Sequence, residues 1–169
     1  LAIEITECKH MGLTVLNPDV NESYEEFAVV PGKKQIRFGM AAVKGVGVGA
    51  VEEIVKMRDR DGKFATVEDF AKRVSTSKCN KRVWESLIKS GGFDALGDRS
   101  DLLFNLENVL AFASKLQKEA LSGQTDLFGS LADSSTEVMP SIELKPAPVK
   151  HTDKERLMWE RELIGLYIS

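Results

Sequence analysis

Residues 41–54 read Ala41-Ala42-Val43-Lys44-Gly45-Val46-Gly47-Val48-Gly49-Ala50-Val51-Glu52-Glu53-Ile54. A short apolar turn of helix runs into Gly-hydrophobic-Gly. Val51 and Ile54 then begin the inward face of a longer helix. Glycines at 45 and 47 let the backbone turn sharply and let another molecule come close to it. Val46 is placed to tuck between the two helices and fix their angle. The amides after Gly47 stand at a helix N-terminus, where free N–H groups and about half a positive charge suit a phosphate oxygen. Lys44 can add a charge-assisted contact. The candidate phosphate site is therefore Lys44, Gly45, Val46, Gly47, Val48 and Gly49, and it would hold a nucleic-acid backbone without reading bases. A purely structural tight turn would use the same glycines and stays open. A nucleotide-binding loop fits poorly, because neither GxxxxGK[ST] nor GxGxxG is present.

The pattern resembles a helix-hairpin-helix motif, and the rest of the chain extends it. Upstream, Leu1, Ile5 and Cys8 share a helical face that Gly12 ends. Leu13 to Leu16 reads as a short strand and Asn17-Pro18-Asp19 as a turn. Phe27–Val30 and Gln35–Phe38 flank Pro31-Gly32-Lys33-Lys34 as a β-hairpin. Downstream, Val48 to Arg60 is helical, with Val51, Ile54 and Val55 inward and Asp61-Gly62 at its end. Thr66 opens another helix, whose apolar face is Val67, Phe70, Ala71 and Val74. Asn80 caps the next, with Val83, Trp84, Leu87 and Ile88 inward and Gly91-Gly92 after it. Residues 66–91 thus resemble a second, degenerate helical pair, near whose second helix lie Lys78, Lys81 and Arg82. These three could take further phosphates or simply be solvated. A long helix from Ser100 to Leu121 carries Leu102, Leu106, Val109, Ala113 and Leu116 as one stripe. Residues 130–150 hold three prolines and no periodicity and read as a flexible linker. Thr152 starts a final helix with Leu157, Leu163 and Ile164 apolar. The fold class expected is mainly α with a small β-hairpin near the N-terminus.

Composition bounds the function. In 169 residues, 43% are hydrophobic and 29% charged, which excludes wholesale disorder. No apolar run reaches the roughly 18 to 20 residues of a membrane helix, and without a Met, a basic n-region or an apolar h-region at its start the chain is expected to carry no signal peptide. Both ends look cut, as in a piece of something longer. Cys8 and Cys79 stand far apart, which argues against a disulfide scaffold or zinc site and suits a reducing cytoplasm. The net charge of −3 conceals an acidic stretch at 1–32 (−5), a basic one at 33–99 (+6) and an acidic one at 100–169 (−4). A polyanionic partner would meet the middle, although a mixed-charge solvated surface has the same count.

A second motif is Gly123-Gln124-Thr125-Asp126-Leu127-Phe128-Gly129. Adjacent large apolar residues beside a linker suggest a docking peptide, or else pack back on the long helix. Catalytic groups are not gathered anywhere. His10 and His151 lack partners at metal-ligand spacing, no nucleophile elbow is present, and the carboxylates are scattered. Trp84 and Trp159 read as core anchors.

In order, several segments are similar to the C-family bacterial replicative polymerases, the DNA polymerase III alpha family. They are Met11 to Asn21, Ile36-Arg37-Phe38-Gly39, Lys44-Gly45-Val46-Gly47, Asn80-Lys81-Arg82-Val83, Leu87 to Asp94, Gly123 to Gly129 and Glu162 to Ser169. Asn17 departs from the family's Pro-Pro-Asp at the first of these. The resemblance implies that residues 1–38 end the fingers region and 39–129 form a tandem helix-hairpin-helix domain that binds DNA and the clamp. Residues 130–150 would then be a linker, and 151–169 a helix leading to an OB-fold domain outside this chain. It implies that Gln124, Asp126, Leu127 and Phe128 bind the sliding clamp (the beta subunit), with Leu127 and Phe128 filling its apolar pocket. Duplex DNA would be the other partner, further replicase subunits would be met through absent parts, and no membrane is involved. The family's palm carboxylates and their magnesium lie outside the chain, so this piece is expected to hold no cofactor and do no catalysis. The alternative is a helix-hairpin-helix module of a DNA repair enzyme such as a glycosylase, nuclease or ligase.

Overall fold

The structure, a computed structural model, describes residue 7, residues 10–122 and residues 142–165. Three short strands come first: β1 (Thr14–Leu16), β2 (Ala28–Val29) and β3 (Gln35–Arg37). β2 and β3 make the expected hairpin, with Val29 opposite Ile36. β1 adds in parallel on the other side of β3, Val15 opposite Ile36, to give the order β1-β3-β2. The turn expected at Asn17-Pro18-Asp19 falls a little later, where the amides of Glu22 and Ser23 donate to the Asp19 carbonyl at 3.2 and 2.7 Å.

Everything described after Gly39 is helical or connects helices. A 3₁₀ turn at Met40–Ala42 leads to α1 (Val48–Asp61), α2 (Val67–Arg73), α3 (Lys81–Ser90), α4 (Arg99–Ser122) and α5 (Asp153–Ile164). The caps follow the residue types. Thr66, Asn80 and Thr152 each accept an amide of their own first turn, and Glu155 completes a capping box. Gly62, Gly91 and Gly165 end α1, α3 and α5 at φ values of +86°, +97° and +92°.

One apolar cluster runs from Val15 through the helices to Ile164, across the sequence divisions at 38/39 and 150/151. Its aromatic centre joins Phe64, Phe70, Trp84 and Phe93. Trp84 stacks on Phe93 with centroids 5.1 Å apart, and Phe70 meets both edge-on. Buried polar groups fix the elements around it. Arg58 of α1 donates to the carbonyls of Val20 and Ser23, each at 2.8 Å, and binds the 19–24 loop to the helix. The Asn21 side chain pairs with both backbone groups of Phe64, at 2.9 and 2.7 Å.

The last helix packs against α3 and does not extend away from the domain. Its Glu160, with no exposed surface, faces the guanidinium of Arg99, which is 6% exposed. The pair is 3.3 Å apart, and Asp94 meets the same guanidinium at 2.9 Å. Arg99 also donates to the Lys89 carbonyl at 3.2 Å. Asn17 donates to Glu160 at 3.1 Å and to the Ser90 carbonyl at 3.0 Å, so the residue that departs from the family turn bridges two helices in this chain.

Where the sequence reads as a linker over 130–150, the described part, 142–150, is an extended strap along α4. Asn105 pairs with both backbone groups of Lys145 at 2.7 and 3.0 Å, and the Ala147 amide donates to Asp101 at 2.7 Å. Lys150 bonds Asp101 and lies 3.5 Å from Asp98, which Arg156 meets at 3.0 Å. Backbone pairing by Asn105 leaves no periodic signature in the strap itself, which is why its composition reads as a spacer.

Two outcomes are expected. Glu160→Leu leaves Arg99 buried with Asp94 as its remaining carboxylate and should cost about 3 to 5 kcal/mol in urea unfolding, while Arg99→Met/Glu160→Leu recovers much of that loss. The Asp101 carboxyl is held below its ordinary value of 3.8, first by the Lys150 hydrogen bond and then by the Ala147 amide. At Asp98 burial pushes upward, but the amides of Asp101 and Ser100 and the charges of Lys150 and Arg156 outweigh it and lower the value. A lowered folded-state pKa means that the strap's contribution is complete above about pH 4 and is lost as pH falls through the folded values. The melting-temperature gap between wild type and Asp101→Asn should be constant near neutrality and close in acid.

Candidate nucleic-acid interface

The hairpin's shape is enforced at Gly45. Its φ of +92° is a region that side chains rarely enter, and a Cβ there would come within 2.6 Å of Ser86 Oγ and 3.2 Å of Arg82 Nε. The turn can therefore sit directly on α3. Val46 is 6% exposed and fills the space between the 3₁₀ turn and α1. The Lys44 amide donates to the Leu163 carbonyl at 2.9 Å, which ties the turn's entry to the end of α5.

The other two glycines behave differently. A Cβ at Gly47 or Gly49 would meet nothing within 4 Å. Gly47 is the N-cap of α1 and supplies no side-chain acceptor, unlike Thr66, Asn80 and Thr152 on the other helices. Its carbonyl accepts from Ala50 and Val51 at 3.1 and 3.2 Å. Among the described residues, the amides of Gly47, Val48 and Gly49 have no acceptor. Three adjacent donors, the positive end of a 14-residue helix and an exposed Lys44 make a surface suited to an anionic oxygen.

The structure brings Arg82 to this surface, against Gly45, exposed and without an ion pair among the described residues. Lys78 is also exposed, in the loop between α2 and α3. Lys81 points elsewhere and pairs with Glu107 of α4 at 3.2 Å. Gln124, Asp126, Leu127 and Phe128 lie outside the described residues. The supports at Ser86 and Leu163 had no sequence signal, because each acts on a partner about 40 or more residues away.

The α2–α3 loop is closed by its own contacts. Its Cys79 is buried against α1, with Sγ 3.8 Å from the Ala50 carbonyl. Burial first, and the Glu53 charge second, push this thiol up to about 12. Trp84 lies in the core, but Trp159 does not. It is half-buried at a cleft of about 480 Å³, with His151 edge-on at 4.6 Å and Lys89 over its ring at 5.6 Å. The expectation of a core anchor fails there because α5 turns only a narrow face inward, led by Glu160 and Ile164. Among the described residues no three His, Cys, Asp or Glu side chains gather as metal ligands would. Among the same residues no helix is long and apolar enough to cross a membrane.

A sharp glycine turn between two helices, with open amides at the start of the second, defines a helix-hairpin-helix protein. The helix-hairpin-helix motif family matches residues 12–102, and the chain belongs to it. Over its whole length the chain is also similar to DNA polymerase III subunit alpha. The protein of that name from Saccharopolyspora erythraea is 40% identical over 172 residues, covering 100% of this chain and 14% of that protein. The Mycobacterium tuberculosis protein is 41% identical over 99% of this chain and 14% of its own length. For Deinococcus radiodurans the figures are 39%, 98% and 12%. The chain therefore spans about one seventh of these relatives. The helix-hairpin-helix pattern and the polymerase resemblance read from the sequence agree with these matches.

The two kinds of glycine separate in a stability measurement. Gly45→Ala should lower stability by about 1 to 2 kcal/mol from the left-handed backbone alone. Gly49→Ala, on an open helical position, should leave stability unchanged or raise it by up to about 1 kcal/mol.

Proposed function

We propose that this chain is the part of a bacterial replicative DNA polymerase that grips duplex DNA and tethers the enzyme to its sliding clamp. The observation that carries the reading is the row of open amides at Gly47, Val48 and Gly49, in a chain about 40% identical to DNA polymerase III subunit alpha from end to end. Those amides, with Lys44 and Arg82 beside them, hold phosphate oxygens of the duplex. The contact ignores base sequence, as an enzyme that moves along DNA requires.

The Gln124-Thr125-Asp126-Leu127-Phe128 peptide supplies the second hold. Gln124 and Asp126 bond at the rim of a clamp pocket, and Leu127 and Phe128 fill it. Two weak holds on one assembly raise processivity by effective concentration, because an enzyme that releases DNA stays near it through the ring. The chain itself performs no chemistry. Nucleotidyl transfer, with the magnesium it uses, belongs to parts of the protein outside this chain. The setting of such an enzyme is the cytoplasm.

Anisotropy titration of a labelled duplex tests the DNA contact. Binding should be weak, with Kd on the order of 10⁻⁴ to 10⁻⁶ M, and should fall with salt at a log–log slope of about −2 to −4 for roughly two to four phosphate contacts. Lys44→Glu should weaken it further, and unchanged binding would remove Lys44 from the site. The tether is read separately against a bacterial sliding clamp. Binding abolished by Leu127→Ala/Phe128→Ala supports the peptide's role, and binding unaffected by that change refutes it.

A further inference from the structure

We infer that α5 positions the hairpin for DNA: its Leu163 carbonyl holds the Lys44 amide, so the grip on a duplex and the docking of α5 on α3 strengthen and weaken together. The inference rests on the DNA reading above and concerns what holds the gripping surface in shape.

The hairpin has few ties of its own. The Lys44 amide donates to the Leu163 carbonyl at 2.9 Å. Among the described residues this is the one hydrogen bond that joins residues 43–47 to an element other than the 3₁₀ turn or α1. Ser86 and Arg82 of α3 limit the turn from one side, by contact with Gly45 alone. Lys44 immediately precedes Gly45, whose φ of +92° sets the direction in which the chain leaves toward Gly47. A donor held at Lys44 therefore holds the row of open amides that follows. With that bond gone the row is free to move, and a phosphate must order it at the moment of binding, which costs affinity.

The acceptor belongs to a lightly anchored helix. Leu163 lies in the last turn of α5, where carbonyls have no partner within the helix. The Gly165 amide takes those of Glu160 and Arg161, and that of Leu163 is taken by Lys44. α5 buries only Glu160 and Ile164, whereas α3, against which it packs, buries Val83, Trp84, Ser86, Leu87, Ile88 and Ser90. Glu160 in turn depends on Arg99 and Asn17, which belong to other elements. Elements with few buried contacts open at the lowest free energy, so α5 leaves α3 before the rest of the core comes apart. When it leaves, Lys44 loses its acceptor. Coupling of this kind is reciprocal: a duplex that binds the held hairpin better must favour docked α5 by the same factor.

Removing the donor without the charge tests this. The extended backbone of Val43, at φ −76° and ψ 126°, accepts a following proline. Lys44→Pro deletes both the amide donor and the side chain, and Lys44→Ala deletes the side chain alone. At one salt concentration Lys44→Pro should bind a labelled duplex about three- to tenfold more weakly than Lys44→Ala, the worth of one hydrogen bond. Ile164→Ala loosens α5 itself and should weaken binding by a similar factor. Val67→Ala, a truncation in α2 at a site as buried as Ile164, should leave affinity unchanged. Circular-dichroism melts of each full-chain variant establish that it is folded at the titration temperature. If Lys44→Pro does not fold, Ile164→Ala and Val67→Ala decide. In the wild-type chain, saturating duplex should slow hydrogen exchange at the amides of Trp159 to Leu163 more than at those of α2. Equal affinities for Lys44→Pro and Lys44→Ala, wild-type affinity in folded Ile164→Ala, or equal slowing in α2 and α5 overturn the inference and leave the DNA reading standing. A folded wild-type chain that binds no duplex even at low salt overturns the DNA reading, and the inference with it.

Discussion

The buried ion pair between Arg99 and Glu160 is the constraint on which the remaining arrangement depends. A carboxylate without exposed surface is tolerable only if its charge is met and its oxygens are bonded. Arg99, at the first residue of α4, meets it, and Asn17, just past the end of β1, adds a bond. The same guanidinium reaches Asp94 and the Lys89 carbonyl, so the end of α3, the start of α4, the sheet and α5 share one knot. Gly91 is part of it, because a Cβ there would come within 2.7 Å of Arg99 Nη2 and 3.0 Å of Asn17 Nδ2. The knot reaches the glycine hairpin through one further bond. With α5 fixed by Glu160, its Leu163 carbonyl is in place to accept the Lys44 amide and hold the hairpin's entry.

Local features of this fold were readable in the sequence because they depend on neighbours in the chain. Thr66, Asn80 and Thr152 cap the helices that follow them, and Gly62 and Gly91 end helices through positive φ. The stripe from Leu102 to Ala113 is buried, and Leu116 is half-buried as α4 passes beyond the body of the domain. Gly45 and Gly47 were legible as a hairpin for the same reason. Their differing duties were not, since they depend on whether Ser86 or open space lies opposite.

Distant pairings had no such trace. Nothing in the short run from Leu13 to Leu16 could place β1 beside β3 in parallel, because the register is set by residues some twenty positions apart. Glu160 sits in a helix rich in charged residues and gives no sign that it is the one turned inward. Lys145 pairs through its backbone with Asn105, which no side-chain pattern can announce. The site was legible in its donors, then, and illegible in what holds those donors still. Charge counting found the basic middle of the chain but could not tell Lys81, which pairs with Glu107, from Arg82, which has no ion pair among the described residues.

The thiol of Cys79 gives this architecture a chemical consequence. Burial first, and the Glu53 charge second, hold this thiol protonated at neutral pH, and the sulfur is sealed where the start of α3 meets α1. Alkylating reagents and oxidants meet an inert atom as long as the two helices stay together. Its modification must wait for their separation, so under a strong reagent the rate of labelling is set by how often the interface opens. The protein carries, in one sulfur, a clock for the breathing of the joint that supports its hairpin.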